Sequence, residues 1–386
     1  MHTTHLELHI LQSFPPCNLN RDENGMPKSC VFGGRPRARI SSQCQKRAVR
    51  LYYQERATEL DLNPSHFADR SRRWLPELKQ MLLDREIAAE QAELAAQSAL
   101  TVMGVKFKDN LASDTTLFLG RTEITEIANI LVNNWPAIES TLTGKKPTLP
   151  KDIEKAVSKA VDPNQKPGDV ALFGRMMASL PSANVDASVQ VAHAIGINQL
   201  QQDFDFFTAV DDLGGREETG SDHMGEIGYN SSTYYRFAVL NTQQLIANLG
   251  STDSAAAMAS AFATAFIKAI PSGYQNSFAA HSLPALVLAV VRNGQPVSLV
   301  DAYEKPIRPT GKNSLLEHAV EKLTQHWENL TQLYGASDVA YLGIATRAPL
   351  VEKLNGLGQH AIPAMDDLVT QAVDAAFSGN ATQGDA

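Results

Sequence analysis

Eight cationic side chains, Arg21, Lys28, Arg35, Arg37, Arg39, Lys46, Arg47 and Arg50, fall within thirty residues that hold two carboxylates, Asp22 and Glu23. The resulting local balance of +6 sits in a chain whose formal net charge is −8. Positive charge gathered in one short segment of an acidic protein is a place to meet a polyanion, while the rest of the surface repels stray ones. Lys and Arg contacts to phosphates carry no sequence information, so the segment suits a grip on a nucleic-acid backbone. A solvated charged face is the usual account of a basic run; here the contrast of sign favours nucleic acid.

A second group of residues could touch bases. Phe204, Phe206 and Phe207 precede a glycine-rich stretch (Gly214, Gly215, Gly220, Gly225, Gly228). Aromatic rings on a projection can wedge between bases or stack on them. Phe204 is expected to bury into the core, and Phe206 and Phe207 to remain available as the wedge. The same stretch carries eight acids from Asp203 to Glu226 (among them Asp211 and Asp212) against one base, Arg216. So negative a segment repels RNA, and its carboxylates are expected to meet basic surface on another copy, a heterologous contact that builds an open filament.

Two further clusters invite chemistry. The carboxylates between Asp203 and Glu226 raise the alternative of a metal-dependent nuclease. His5, Glu7 and His9 place three ligand types on one strand face, but no fourth ligand is indicated and no metal site is expected. Gly33-Gly34 is too short for a nucleotide fingerprint and reads as a tight turn that lets backbone approach RNA. No cofactor motif stands out.

The elements that must position these groups follow from periodicity. Residues 5–10 alternate, which reads as a strand with one buried face. A Pro/Gly-punctuated loop, Pro15 to Arg37, leads to Ser41-Ser42, a helix N-cap, with the helix from Gln43 to about Arg56. Gln43, Lys46, Arg47 and Arg50 share its polar face, and Cys44, Ala48, Leu51 and Tyr52 the inward one. Arg35, Arg37 and Arg39 alternate and are expected to point one way. Residues 60–165 read as a helical insertion, with one helical pattern from Pro76 to about Val102 and a stripe of Ile124, Ile127, Leu131 and Trp135. Strand signals return at Val170 to Met177, at Val185 to Val191 and at Tyr234 to Leu240. A helix from Ala255 to Ile270 stops at Pro271. Leu286 to Val291 and Val297 to Val300, joined by Asn293-Gly294, read as a hairpin. Leu315 to Tyr334 is an amphipathic helix, and the tail after Ser378 reads as frayed. Without its insertions the order is β–α–β–β–α–β, the ferredoxin-like plan shared with RRM-type RNA binders.

Length and composition bound the class. The 386 residues suffice for one large domain with an insertion or for two or three ordinary ones. A hydrophobic content of 43% and a charged content of 20% belong to a core-forming chain and exclude a disordered one. The longest apolar run, Leu283 to Val291, is too short for a membrane span and suits a buried strand. Cys17, Cys30 and Cys44 are too few for a disulfide framework. The N-terminus lacks the pattern of a signal peptide, so a cytoplasmic protein without a membrane partner is expected.

The block from Cys30 to Ala48 (Cys-Val-Phe-Gly-Gly-Arg-Pro-Arg-Ala-Arg-Ile-Ser-Ser-Gln-Cys-Gln-Lys-Arg-Ala), with Leu19 to Asp22 before it, strongly resembles the backbone subunits of type I-E CRISPR Cascade complexes (CasC, in the Cas-seven family). The resemblance continues at Phe173 to Met177, at Phe206 to Leu213 and at Pro271 to Ala280. It implies an α+β fold: an RRM-like palm (1–58, 169–195 and 232–386), a helical fingers insertion (59–168) and a protruding thumb (196–231). Several copies would polymerise head-to-tail along the spacer of CRISPR RNA, with other Cascade subunits, and present the guide for pairing with target DNA. The positions matching the family's RNA contacts are Arg21, Lys28, Ser41, Gln43, Lys46 and Arg50, and Arg47 beside them is a plausible addition. Phe206, Phe207 and Thr208, with Met176 opposing, match the thumb residues that displace a nucleotide. The resemblance implies a binding subunit that leaves cleavage to others. Related type III backbone subunits cut target RNA with an acidic residue, and Asp22 lies inside the basic loop here, which keeps the guide-dependent metal-ion ribonuclease as the alternative; a general single-strand RNA binder is the third reading.

Overall fold

The computed structural model describes residues 3–63, 67–108, 111–142, 147–161, 166–208, 224–309, 311 and 313–378. In chain order the strands are β1 (Thr4–Cys17), β2 (Ser29–Phe32), β3 (Arg35–Ile40), β4 (Ala68–Ser71), β5 (Leu117–Gly120), β6 (Val189–Val191), β7 (Ala194–Gly196), β8 (Gln202–Thr208), β9 (Met224–Asn241), β10 (Leu286–Asn293) and β11 (Val339–Thr346). The helices are α1 (Ser42–Glu55), α2 (Trp74–Leu83), α3 (Ala89–Thr101), α4 (Arg121–Asn133), α5 (Trp135–Leu142), α6 (Lys151–Ala160), α7 (Gly168–Phe173), α8 (Thr242–Leu249), α9 (Thr252–Lys268), α10 (Gln275–Phe278), α11 (Leu315–Tyr334), α12 (Ala348–Val351) and α13 (Met365–Phe377). The chain divides into two compact units: Met1–Glu55, Gln190–Thr242 and Ala259–Ala386 form one, Arg56–Val189 and Gln243–Met258 the other.

The first unit is built on an antiparallel sheet in the order β11-β10-β1-β9-β7-β3-β2, with β6 and β8 also pairing with β9. β1 lies between β10 and β9 and is buried on both faces from His5 to Gln12, not on one as its alternation suggests. The apolar face packs in the ordinary way; the other stays dry because its polar groups satisfy one another. Glu7 is fully buried, and its carboxylate accepts from Arg292 Nε at 2.9 Å and from the Val297 amide at 3.0 Å. Its second oxygen lies 3.3 Å from His9 Nε2, and His9 Nδ1 lies 2.8 Å from the Tyr235 hydroxyl. Buried charge is tolerated when partnered in this way. The expected second arm of a hairpin at 297–300 does not form, since Val297 and Leu299 spend their amides on Glu7 and Tyr235, and Val300–Tyr303 coils into a 3₁₀ turn. β10 pairs instead with β1 and β11.

Arg236 of β9 ties α1 and α9 to one face of the sheet. Its guanidinium donates to Gln45 of α1 at 3.2 Å, to Gln12 of β1 at 2.6 Å and to the Phe266 carbonyl of α9. Burial lowers its pKa to about 10, which still leaves it charged near neutrality. On the other face α11 lays Ala319, Val320, Leu323 and Trp327 against Leu286, Leu288, Val290 and Ile344.

The second unit is mainly helical, with a core from α2 to α6 that includes Leu75, Ala96, Ile127, Leu131 and Val157. The pattern expected as one helix from Pro76 to Val102 is two, α2 and α3, broken where Glu86 takes a left-handed φ of 65°. The expected strand at 170–177 is instead the short helix α7, buried all round, where periodicity cannot tell strand from helix. Arg175 and Glu123 form an ion pair whose side chains are each 1% exposed. No helix among the described residues is long and apolar enough to cross a membrane.

Candidate nucleic-acid interface

The cationic segment folds as a loop, a hairpin and a helix of the first unit. β2 and β3 are joined by Gly33-Gly34, with positive φ at both residues (58° and 70°), the condition for a two-residue primed turn. A Cβ at Gly33 would lie 1.8 Å from the Glu304 carbonyl oxygen, so the close approach expected of this turn is to the protein's own backbone.

Of the three alternating arginines expected to point one way, Arg37 is fully buried. It donates to the carbonyls of Gly196 at 2.9 Å, Tyr303 at 2.9 Å and Glu304 at 2.8 Å, so it fastens the hairpin to the sheet. Arg35 is exposed, and Arg39, half-buried, donates through Nε to the Ser29 carbonyl at 3.1 Å.

Ser41 caps α1. Its hydroxyl accepts from the Cys44 amide at 3.2 Å, and its own amide donates to Asn20 Oδ1 at 2.8 Å. Such caps contribute about 1 kcal/mol. The buried stripe of α1 is Gln45, Val49 and Tyr53, one position away from the expected Cys44, Ala48, Leu51 and Tyr52. A polar residue leads that stripe: Gln45 donates to the Ala192 carbonyl at 2.9 Å and accepts from Arg236. The opposite side leaves Gln43 and Arg47 exposed and Lys46 and Arg50 half-exposed. Asn20 links this helix start to the loop, since its carbonyl accepts from the Lys28 amide at 2.8 Å, and Lys28 in turn accepts from the Arg39 amide at 2.9 Å. Arg21, Lys28, Ser41 and the basic face of α1 thus share one hydrogen-bonded framework.

His193 is a part of this corner that sequence reasoning missed, for no motif marks it. Its ring is exposed; Nδ1 accepts from the Ser42 amide at 3.0 Å, and partial desolvation, then the charges of Arg39 and Lys28, lower its pKa. A histidine whose folded pKa is lowered favours folding above the usual histidine range, so the free chain is expected to lose some stability as pH falls through it. Replacing His193 with Asn should flatten this part of the melting-temperature profile; an unchanged profile would remove His193 as its cause.

Asp22 folds its own loop. One carboxylate oxygen accepts from the amides of Asn24 and Met26, each at 2.9 Å.

The aromatic stretch is an antiparallel arm, β8 with the outer part of β9, rather than a loop. Phe204 is 56% exposed, Phe206 64% and Phe207 48%, so Phe204 does not bury as expected. Its strand has left the core sheet, and its register partner Gly228 is covered by Met26 instead. The Phe207 ring lies over Gly225. Thr208 ends β8 opposite Met224. Asp211, Asp212 and the other acids at 209–223 lie outside the described residues. In the second unit Met176 is 87% exposed between buried Arg175 and Met177. Arg175 bridges Val185 in both directions at 2.9 Å, and Asn184 Oδ1 accepts from the Met177 amide at 2.6 Å, so both neighbours hold the methionine outward.

These features define a mixed α+β protein with a large antiparallel sheet and a pinned cationic corner. The chain belongs to the CT1975-like protein family, whose model matches residues 6–371. It is similar to a solved chain of a "CRISPR RNA-guided surveillance complex, pre-nicking", with 32% identity and a TM-score of 0.85 over 96% of this chain and 100% of that one. A second solved chain, from a "CRISPR RNA-guided surveillance complex", shows 28% identity and a TM-score of 0.75 over 96% and 99%. No curated protein matches the chain.

Proposed function

We propose that this chain is the CRISPR RNA-binding backbone subunit of a type I-E Cascade complex in the cytoplasm, and that it is not itself an enzyme. The observation that carries the reading is the exposed cationic face of α1. Its start is capped by Ser41 and its inner stripe locked by Gln45, so Gln43, Lys46, Arg47 and Arg50 stand on a rigid element beside Arg21 and Lys28. Fixed cations bind phosphates at little cost in ordering and leave the bases to pair with target DNA. The strand order β10-β1-β9-β7, with α1 after β1 and α9 after β9, supports an RRM-like palm. The helical unit then serves as the fingers, with Met176 as a guide contact of its own, and the β8–β9 arm as the thumb, where Phe206, Phe207 and Thr208 meet the guide. Its acids meet the next copy head-to-tail. The two amides taken by Asp22 favour a structural role for that carboxylate over metal-assisted cleavage.

Co-expression with a CRISPR array and sequencing of the bound RNA tests this reading. RNA of one spacer-plus-handle length is expected; heterogeneous RNA would point to a general single-strand binder. Cleavage of target RNA with Mg²⁺, abolished by Asp22→Ala, would establish the nuclease instead.

A further inference from the structure

The segment Pro271 to Ala280 has no part in the site described so far, yet it carries two non-glycine residues in the left-handed region. Tyr274 (φ 49°) and Ala279 (φ 46°) bracket the single turn of α10. Such a conformation is unfavourable for a side chain bearing a Cβ, and it persists where the surroundings over-determine it. Glycine or asparagine would adopt it more easily, so a tyrosine here is kept for its ring.

That ring meets the basic loop. The Arg21 guanidinium carbon sits 4.6 Å from the Tyr274 ring centroid. Phe278 stands edge-on to Tyr274 at 6.3 Å, and Tyr229 of β9 lies 5.8 Å from Phe278. The turn is seated on the residues just before Arg21: a Cβ at Gly273 would fall 2.4 Å from the Leu19 carbonyl oxygen and 2.9 Å from that of Asn18. Asn18, fully buried, holds the far end of the loop by donating to the carbonyls of Gly25 and Gly228, each at 2.9 Å. The neighbouring Asp22 carboxylate accepts from the amides of its own turn.

We infer that Tyr274 is a positioning residue for Arg21, its ring holding the guanidinium flat so that the N–H edge faces one phosphate of a bound RNA strand. A guanidinium stacked by its face keeps its donors at the periphery, where a phosphate can be met in the plane of the fork. An arginine on a mobile loop would give up rotamer freedom at the moment of binding; the stacked one has given it up already. The inference rests on the RNA-binding reading above, and it adds a residue that reaches the RNA through another.

The test is titration of the full chain with a labelled single-stranded RNA over a series of salt concentrations, with melting temperatures recorded alongside. Arg21→Ala and Tyr274→Leu should each weaken binding about fivefold. Each should also flatten the dependence of log K on log salt by about 0.7, the loss of one single-strand phosphate contact. The double variant should bind no more weakly than either single one, and Tyr274→Phe should bind as the wild type does. Tyr274→Gly, which fits the left-handed backbone better, should show the same loss and covers the case in which the leucine variant fails to fold. Wild-type affinity and slope for Tyr274→Leu or Tyr274→Gly, or losses that add in the double variant, would overturn the inference and leave the RNA reading standing. Absence of RNA binding by the wild-type chain would remove both.

Discussion

Replacing Arg175 with methionine is expected to destabilise the helical unit by about 3–5 kcal/mol, the usual cost of stripping one partner from a buried ion pair. The guanidinium donates to both oxygens of Glu123 at 2.9 and 2.8 Å, to the Ala183 carbonyl at 2.9 Å and to the Val161 carbonyl. Methionine fills the volume but leaves a carboxylate and two carbonyls without those donors. Burial already pushes the Glu123 carboxyl above its ordinary range, while Arg175 and the Gly120 amide pull it back. In the variant the stronger pull is gone and the folded pKa climbs further. A carboxyl whose folded pKa exceeds its unfolded value favours folding below the unfolded value and loses that advantage as pH rises through the folded one. Arg175→Met should therefore melt progressively earlier as pH rises above the ordinary carboxylate range. Adding Glu123→Leu should restore most of the loss and remove the pH slope, because replacing both partners with apolar groups is often close to neutral. A single variant melting near the wild type at pH 8 would show that the pair contributes little.

The second large effect concerns RNA. Exchanging Lys28, Lys46, Arg47 and Arg50 together for alanine should lower affinity about a hundredfold near physiological salt and flatten the salt dependence by about 3. Arg47 is exposed and the other three half-exposed, and the exchange leaves the cap and inner stripe of α1 in place. Titration of a single-stranded RNA at several salt concentrations separates the outcomes. An unchanged slope would take these four cations out of the interface, and a large fall in melting temperature would make them structural.

How far these features can be read from residues alone depends on how local their causes are. α11 spans Leu315 to Tyr334, the range its apolar stripe predicts, because a long uninterrupted 3.6 period and a cap at Ser314 are local signals. β1 is legible as a strand, but not its second buried face, since the partners of Glu7 lie near positions 292 and 297. Gln45 hides the inner stripe of α1 for the same reason: its burial depends on Ala192 and Arg236. Within the site, the exposure of Arg47 and Gln43 follows from helix spacing. The burial of Arg37 does not, because the carbonyls it serves are more than 150 residues away. The exposure of Phe204 is not legible either, because an aromatic residue in a strand normally faces a core, and local sequence does not tell where a strand leaves one. In the Tyr274 turn the residues that take positive φ are Tyr274 and Ala279, neither of a type that favours it, while the neighbouring Gly273 and Asn276 do not, so local sequence misplaces the left-handed positions.

β9 is one continuous strand from Met224 to Asn241, and its inner part pairs with β1 while its outer part pairs with β8. At roughly 3.3 Å per residue its eighteen residues span about 59 Å, so the arm is a ruler cut from the same bar as the core. Its graduations come in twos. Loss of a single residue near Tyr229 would turn the outer side chains of β9 over relative to the inner ones, whereas loss of two would shorten the arm by about 7 Å and keep every side chain on its side. Reach and facing are therefore coupled: a change of two residues preserves the facing that a change of one reverses.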